Sequence, residues 1–263
     1  MPEGHTIHRI ARDHQRDFAG QKMKISSPQG RFSDGAEILT GRTLQGVEAH
    51  GKHLCYCWSG GKRLHIHLGL YGKFRRHKMP LPEPRGQVRL RAIGDRNAFD
   101  LNGPTACEVI KKQDWAAIQD RLGPDPLRDD ADVDRVWDRI QKSRSAIGTL
   151  LLNQAVIAGV GNVYRSEVLH LLQIHPDTPG NALSREQFDV LWQRIQTLLK
   201  IGVKYNRIII AEPEDVGKPR SRMNRSERLL VYKRDFCIRC DAPIESWILG
   251  SRKVFACTRC QPR

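Results

Sequence analysis

The residue pair with the clearest chemical potential is Pro2 followed by Glu3. Removal of Met1 would make Pro2 an N-terminal secondary amine, and an α-amine titrates near pH 8, about two units below a lysine. Such an amine is largely nucleophilic at neutral pH, and its attack on a sugar aldehyde gives an iminium ion that stays cationic and acidifies the adjacent C–H. A carboxylate such as Glu3 can then transfer protons. Most Met-Pro starts are inert, so the pair alone does not decide the chemistry.

Four of the seven cysteines form two Cys-x-x-Cys pairs, Cys237 with Cys240 and Cys257 with Cys260, separated by 16 residues. This spacing is typical of a structural zinc site with four thiolate ligands. Four thiolates leave no open coordination position, so the zinc ion would stabilise a small ribbon rather than perform chemistry. The alternative is a redox motif, which needs a single pair in a βαβ context, and the sequence favours zinc.

The other three cysteines have a simpler interpretation. We predict that they lie in a β core as small hydrophobic residues; they are Cys55, Cys57 and Cys107.

The composition of the 263-residue chain points to a polyanionic partner. Lysine and arginine number 44 against 29 acidic residues, which gives a formal net charge of +15. Such an excess favours nucleic acid first and an acidic membrane surface second. The chain contains neither a run of about 18 apolar residues nor a signal-peptide pattern, so we expect a soluble, intracellular protein that does not insert into a membrane.

The elements that must position these residues differ along the chain. Apolar residues at helical spacing from Ile7 to Phe18 predict a helix after Gly4, with Gly20 suited to its C-cap, which would hold Pro2 and Glu3 at its N-terminus. Short β-rich runs between residues 22 and 110 predict an antiparallel sandwich or barrel. The predicted strands are Met23–Ser26, Thr43–His50, His53–Trp58, Leu64–Leu68, Gly72–Arg76, Val88–Ala92, Ala98–Leu101 and Ala106–Val109.

The second half of the chain is predicted to be mainly helical. The acidic segment from Lys112 to Arg139 suggests a domain boundary with a solvated linker. Leu150–Ala158 is predicted to be a buried helix, and Ser184 to open another through a capping box. The sequence predicts a hairpin over Ile248–Phe255, with a basic tip at Ser251–Lys253.

Several further residues could contact phosphates or bases. The turn Gly159–Asn162 precedes a helix and resembles a phosphate cradle, although a plain helix–helix turn is the simpler alternative. Lys52 is predicted in a turn between two strands. Leu70 and Tyr71, in a glycine-bounded turn, could wedge between stacked bases or pack back on the sheet. Arg252 at the hairpin tip could contact a phosphate or remain a solvated surface charge.

Taken together, these motifs resemble the formamidopyrimidine-DNA glycosylase / endonuclease VIII family of base-excision repair enzymes. The resemblance covers nearly the whole chain and depends on five motifs that occur along the chain in one order. They are Pro2-Glu3-Gly4, Gly51-Lys52, Leu70-Tyr71-Gly72, the run Asn153–Glu167 and the double Cys-x-x-Cys.

The resemblance implies an α+β multidomain fold in three parts. These are a catalytic β-sandwich domain with flanking helices over residues 1–128, a helix–two-turn–helix domain over 129–228 and a zinc finger with a β-hairpin over 229–263. The family binds damaged double-stranded DNA in the cleft between domains, and one structural Zn²⁺ and a monomeric state are expected. The expected location is cytoplasmic, at the nucleoid.

The resemblance also implies roles for single residues. Pro2 would attack C1′ of the damaged nucleotide, Glu3 would shuttle protons, and Lys52 would hold a phosphate beside the lesion. Asn162 and Arg252 would bind the phosphates that flank it. Leu70 and Tyr71 would fill the void left by the flipped base, and strand cleavage would follow by β- and δ-elimination.

Two departures bear on the substrate. The formamidopyrimidine branch usually carries Asp-Pro-Arg-Arg-Phe-Gly late in its β domain, whereas this chain reads Phe99–Ala106 there, without the arginine pair. The sequence is therefore similar to the endonuclease VIII branch, which prefers oxidised pyrimidines. Gly69 stands where that branch often has Gln, which leaves one side chain fewer to fill the void. Two alternatives remain: an enzyme that is chiefly an abasic-site lyase, and a non-catalytic zinc-dependent DNA-binding protein.

Overall fold

The computed structural model describes residues 2–263, and the chain divides into two compact units. The first unit comprises residues 2–3 and 7–121, and the second comprises residues 4–6 and 122–263. Helix α1, Gly4–Phe18, therefore has its first turn grouped with the second unit and the rest with the first. Among residues 2–263, none of the helices combines the length and apolar character that crossing a bilayer requires.

The first unit contains two four-stranded antiparallel sheets, which confirms the eight predicted strands and the sandwich architecture. One sheet has the strand order β1-β6-β7-β5 and the other β2-β3-β4-β8. The strands are β1 Lys24–Ser26, β2 Leu44–His50, β3 His53–Trp58, β4 Arg63–His67, β5 Lys73–Lys78, β6 Val88–Ile93, β7 Asn97–Asn102 and β8 Ala106–Ile110. Helices α2, Ser33–Leu39, and α3, Lys112–Arg121, accompany them.

One hydrophobic core joins both sheets of this unit to α1. Alternate residues of β3, such as Leu54 and Tyr56, point into this core because successive strand side chains face opposite sides. The helix contributes Ile7 and Phe18 to the same cluster. His14 is buried there too, with its Nδ1 2.7 Å from the Tyr56 hydroxyl. Burial lowers the pKa of His14 to about 3, so this histidine is a neutral core residue.

The second unit is mainly helical and has a hydrophobic core of its own. The capping box predicted at Ser184 is confirmed, since its side chain accepts a hydrogen bond from the Gln187 amide and Gln187 returns one. The helices after α1–α3 are α4 Val133–Gln141, α5 Ile147–Leu150, α6 Asn162–Leu171, α7 Arg185–Tyr205, α8 Pro213–Val216 and α9 Arg225–Arg228.

Two sequence predictions in this region are wrong. The two units do divide within the acidic segment, between Arg121 and Leu122. The segment is not a solvated linker, however, because α3 and α4 occupy most of it and Asp125 is buried, with its carboxylate accepting the Leu127 amide at 2.9 Å. The predicted helix at Leu150–Ala158 does not form, since α5 covers Ile147–Leu150 and the chain continues from there through turns. The apolar run is buried, as predicted, but the hydrogen bonds of its backbone are those of a loop.

The chain ends in the predicted hairpin, formed by β9, Glu245–Leu249, and β10, Arg252–Ala256. These strands pair antiparallel, with Arg252 opposite Leu249. Gly250 takes φ +65° in the turn, a conformation that glycine adopts without steric cost. The hairpin belongs to the second unit, together with the helices.

Candidate functional site

Pro2 and Glu3 stand immediately before α1, as the sequence predicted. Pro2 is half-buried and Glu3 is completely buried. Glu3 occupies the N-cap position in an extended conformation, and its carbonyl accepts the amide of Ile7 at 3.4 Å. A carboxylate at a helix N-terminus is stabilised by the helix dipole. The structure thus places a half-buried proline and a buried carboxylate side by side at the head of α1.

Lys52 lies in the turn between β2 and β3, next to Gly51, whose φ is +56°. Behind this turn, burial lowers the pKa of His53 to about 3. The pKa of His67 is also lowered, first by burial and then by the charges of His65 and Lys52. These two histidines are therefore neutral at pH 7, and Lys52 carries the positive charge at this turn.

Leu70 and Tyr71 project from a tight turn between β4 and β5, with 50% and 81% of their surfaces exposed. The Gly72 amide donates to the Leu68 carbonyl at 2.9 Å and closes the turn. Gly69 has φ +62°, and a Cβ there would lie 1.8 Å from Oγ1 of Thr105. The turn therefore requires glycine at position 69, and it presents two apolar side chains to solvent.

Within the second unit, the turn at Gly159 contacts Gly4, the first residue of α1. The Gly4 amide donates to the Gly159 carbonyl at 2.8 Å, and a Cβ on Gly4 would lie 2.9 Å from the Gly159 Cα. Gln154 organises the turn: its Oε1 accepts the Gly159 amide at 3.0 Å, and its Nε2 donates to the Val160 carbonyl at 2.9 Å. The position of Gly4 is thus defined by a backbone turn.

Asn162 is the first residue of α6 and is connected to the hairpin. Its Nδ2 donates to the Lys253 carbonyl at 2.9 Å. The guanidinium of Arg165, which has no exposed surface, donates to Asn162 Oδ1 at 2.5 Å, to the Leu249 carbonyl at 3.0 Å and to the Arg252 carbonyl at 3.3 Å. The side chain of Arg252 itself is exposed. Asn162 and the backbone of the hairpin tip are therefore held as one assembly.

The four predicted metal ligands come together at one end of the hairpin. Their sulfur atoms all lie within 4.8 Å of one another. Cys240 Sγ is 3.5 Å from Cys257 Sγ and 3.4 Å from Cys260 Sγ, while Cys237 Sγ is 3.9 Å from Cys260 Sγ. Four sulfurs bound tetrahedrally at about 2.3 Å from zinc are roughly 3.8 Å apart. The cluster therefore fits a structural metal ion.

Two further side chains support this cluster. His170 Nε2 lies 3.4 Å from Cys237 Sγ and can donate to a thiolate there. Gln261 accepts the Cys257 amide at 3.0 Å and donates to the Ile174 carbonyl at 2.8 Å, which attaches the second cysteine pair to the helical region.

Sequence reasoning assigned no role to four residues that position this assembly. Gln154 and Arg165 appeared only within the run Asn153–Glu167, and His170 and Gln261 were not singled out. Another such residue is Glu167, a buried carboxylate that accepts the amides of Leu230, Val231 and Tyr232 at 2.8, 3.2 and 2.8 Å. The available signal was that Arg165 and Glu167 are charged residues beside the apolar residues Val163, Val168 and Leu169 of α6. The hairpin carbonyls that Arg165 binds and the amides that Glu167 accepts lie more than 60 residues further along the chain, so no local pattern could identify them.

The predicted site residues divide between the two units. Pro2, Glu3, Lys52, Leu70 and Tyr71 belong to the first. Those of the second unit are Asn162, Arg252, Cys237, Cys240, Cys257 and Cys260.

Comparisons with known proteins agree with this arrangement. The formamidopyrimidine-DNA glycosylase N-terminal domain matches residues 1–104, and the formamidopyrimidine-DNA glycosylase H2TH domain matches residues 122–213. Endonuclease 8 1 of Mycobacterium tuberculosis is 48% identical over 268 residues, which cover 99% of this chain and 100% of the relative. Formamidopyrimidine-DNA glycosylase of Lactococcus lactis is 27% identical over 275 residues, with full coverage of both chains.

Solved structures show the same similarity. A complex of Lactococcus lactis Fpg with DNA containing an abasic site has a TM-score of 0.82 and 26% identity, covering 99% of this chain and 100% of that one. A complex of the same enzyme with DNA containing N7-benzyl-Fapy-dG has a TM-score of 0.83, with full coverage of both chains. With two domain matches in order and a relative of high identity along its whole length, the chain belongs to the formamidopyrimidine-DNA glycosylase / endonuclease VIII family, on its endonuclease VIII-like side.

Proposed function

We propose that this protein is a bifunctional DNA glycosylase and AP lyase of base-excision repair. The observation that carries the proposal is the Pro2-Glu3 pair at the head of α1, in a chain that aligns end to end with an endonuclease 8. A protein that only bound DNA would have no use for an imino-acid terminus next to a buried carboxylate. The +15 charge suits a DNA substrate.

Pro2 acts as the nucleophile once Met1, which lies outside the described residues, has been removed. Its nitrogen lone pair attacks C1′, the N-glycosidic bond breaks, and the base leaves with the bonding electrons and takes up a proton. Loss of the amine proton and opening of the C1′–O4′ bond give the iminium ion. Glu3 moves the protons of these steps from its fixed place beside the nitrogen.

The iminium ion then withdraws electrons from the sugar. Loss of a C2′ proton expels the 3′ phosphate, and loss of a C4′ proton expels the 5′ phosphate, which completes β- and δ-elimination. Attack of water on the remaining iminium ion forms a carbonyl on the sugar fragment and releases Pro2. The flipped nucleotide costs a few kcal/mol to extrude, and this cost is lowest for weakly stacked, damaged bases.

The other residues bind and orient the DNA. Lys52 holds a phosphate beside the lesion, while Asn162 and Arg252 contact the flanking phosphates. Asn162 carries two N–H groups, of which one goes to the Lys253 carbonyl, so the amide can still serve a phosphate oxygen. Leu70 and Tyr71, both exposed on a rigid turn, occupy the void in the base stack.

The metal ion of the four-cysteine cluster is zinc in this proposal. Four thiolates give it a closed, structural site, so it supports the hairpin and takes no part in the reaction. We assign residues 1–128 to the catalytic domain, 129–228 to the helix–two-turn–helix domain and 229–263 to the zinc finger. The protein acts as a monomer on DNA at the nucleoid, inside the cell.

Oxidised pyrimidines are the favoured substrate class, because the Phe99–Ala106 segment lacks the arginine pair of the formamidopyrimidine branch. A second candidate, an enzyme that acts chiefly on abasic sites, is favoured by Gly69, which leaves two rather than three side chains to stabilise an extruded base. A panel of duplexes with oxidised pyrimidine, oxidised purine or abasic lesions separates these cases, since only the first candidate releases a free oxidised pyrimidine.

Borohydride trapping tests the chemistry directly. Protein whose N-terminal mass shows loss of Met1 is incubated with abasic or oxidised-pyrimidine duplex, and the reduced covalent adduct is measured. We expect the adduct in the wild type and in Glu37→Gln, an exposed control on α2, but not in Pro2→Gly or Glu3→Gln.

Full lyase activity in Pro2→Gly would refute the assigned nucleophile. Tight, salt-dependent binding of damaged duplex by Met1-free wild type with neither adduct nor strand cleavage would instead identify a non-catalytic DNA-binding protein.

A further inference from the structure

Three potential metal ligands lie together on the β2–β3 hairpin, away from the four-cysteine cluster. They are Glu48 on β2 and Cys55 and Cys57 on β3, and one donor atom of each lies within 4.8 Å of the others. Glu48 is directly opposite Cys55 in the antiparallel register. Cys55 and Cys57 are two residues apart in one strand, so they share a face of the sheet.

That face is the one opposite the hydrophobic core. The intervening residues Leu54 and Tyr56 point into the core, and Cys107 on β8 also packs against it. Cys55 is completely buried, as the sequence predicted for a small hydrophobic residue, but Cys55 and Cys57 face away from the sandwich core against which the partly buried Cys107 packs. Packing in the sandwich core does not explain why two thiols lie beside a carboxylate on this face.

The donor atoms suit a thiophilic divalent cation. Two thiolates and one carboxylate are common zinc ligands, with bonds of about 2.3 Å from sulfur and about 2.1 Å from oxygen. At present the Cys57 thiol donates to Glu48 Oε1 at 3.1 Å, so a proton lies where a metal would bind. Two protons would leave when the metal binds, since ligating thiols are deprotonated.

The surroundings supply the outer contacts that such a site requires. The indole Nε1 of Trp115, on α3, donates to Glu48 Oε2 at 3.3 Å, which orients the carboxylate and leaves Oε1 toward the thiols. Arg63 lies opposite Cys57 in the β3–β4 register, and its buried Nε has no hydrogen-bond partner among residues 2–263. Two thiolates, a carboxylate and a divalent ion carry a net charge of −1, which the Arg63 guanidinium offsets.

We propose that Glu48, Cys55 and Cys57 form a second metal site, which binds Zn²⁺ or another thiophilic divalent ion independently of the four-cysteine cluster. Three protein ligands leave one position for water or a small anion. The ion joins β2 to β3 two residue pairs from the turn that carries Lys52, so it stabilises the hairpin that presents this lysine.

Metal stoichiometry on the full-length protein, kept in a non-chelating reductant, tests the proposal. The protein is titrated with Cd²⁺ and the sulfur-to-metal charge-transfer absorption is followed, while bound zinc is counted by elemental analysis. We expect two metal equivalents in the wild type and in Cys107→Ser, the matched control from the same sheet. The double variant Cys55→Ser/Cys57→Ser retains only the equivalent of the four-cysteine cluster.

Two conservative variants keep the test decisive if the double variant does not fold. Glu48→Gln loses a ligand but keeps its volume, and Trp115→Phe loses only the indole N–H. We expect each to weaken the second equivalent by at least about tenfold without changing the first. Saturation of the wild type at one equivalent overturns the proposal, and so does a second equivalent that survives in Glu48→Gln and the cysteine double variant with unchanged affinity.

Discussion

Arg165 donates a hydrogen bond of 2.5 Å to the side-chain oxygen of Asn162, three residues earlier on α6. The same guanidinium bonds the carbonyls of Leu249 and Arg252 in the hairpin. Because Arg165 is completely buried, it acts as an internal brace between the start of α6 and the hairpin tip. This brace fixes which way the Asn162 amide points, since an oxygen held by Arg165 leaves the nitrogen to donate to the Lys253 carbonyl.

Replacement of this brace should therefore affect both folding and DNA binding. We expect Arg165→Gln to lower the free energy of unfolding by about 2–4 kcal/mol, because several buried carbonyls lose their donor. Binding of a lesion duplex should weaken at temperatures where the variant remains folded. Denaturant unfolding and fluorescence anisotropy measure the two effects.

An exposed arginine provides the matched control. Arg12 is exposed on α1 and lies 3.8 Å from Asp13, and Arg12→Gln should change stability by less than about 0.5 kcal/mol. An Arg165→Gln protein as stable as this control would show that the brace is dispensable.

Glu167 should make the stability of the protein depend on pH. Burial raises the pKa of Glu167 to about 7, against an ordinary 4.5, although three backbone amides partly offset the rise. The unfolded chain then releases this proton at lower pH than the folded one, so ionisation of Glu167 favours unfolding. We expect its contribution to stability to be largest below pH 4.5 and to fall by about 3 kcal/mol by pH 7.

Urea unfolding of the wild type and Glu167→Gln between pH 4.5 and 8 measures this contribution. The variant should be less stable at low pH by about 1–3 kcal/mol. The side-chain NH₂ group introduced by Glu167→Gln would face one of the backbone N–H groups that the carboxyl group accepts, and two donors cannot bond each other. The stability of the variant should also decline less with rising pH than that of the wild type. Parallel pH profiles for the two proteins would contradict the assignment.

Gly69 should tolerate no side chain. In Gly69→Ala the positive φ costs about 1–2 kcal/mol, and the new Cβ collides with Thr105 Oγ1. The comparison is Gly41→Ala, where φ is +77° but nothing lies within 4 Å of the added Cβ. We expect Gly69→Ala to lower the free energy of unfolding more than Gly41→Ala does. Adding Thr105→Ala to Gly69→Ala should restore part of the loss. Equal losses in the two single glycine variants, measured by denaturant unfolding, would exclude the collision.

Removal of the structural metal should release the hairpin but not the β-sandwich. We expect a strong chelator, or the double variant Cys240→Ser/Cys260→Ser, to make the bonds after Arg252 and Lys253 susceptible to trypsin. The hydrogen bonds from Asn162 and Arg165 to the hairpin backbone should be lost with it. Limited proteolysis with mass spectrometry detects the change, and a hairpin that stays protected without metal would show that it folds on side-chain packing alone.

The sequence alone determined the elements whose signals are local. The eight strands follow from short β-rich runs between turns, the Ser184 cap from its box, and the four-cysteine cluster from two pairs at metal-binding spacing. The chemistry proposed for Pro2 and Glu3 depends on residue type and order, which are also visible in the chain. These features involve neighbours within a few residues, so propensity and spacing suffice.

Only the tertiary structure decided what depends on distant partners. It turned the apolar run after Leu150 into buried turns, because Gln154 and its neighbours bind the backbone there. It gave Arg165 and Glu167 their roles through carbonyls and amides more than 60 residues away. It also separated Cys55 and Cys57 from Cys107, since alternation along β3 and packing of the sheet choose which face each thiol occupies.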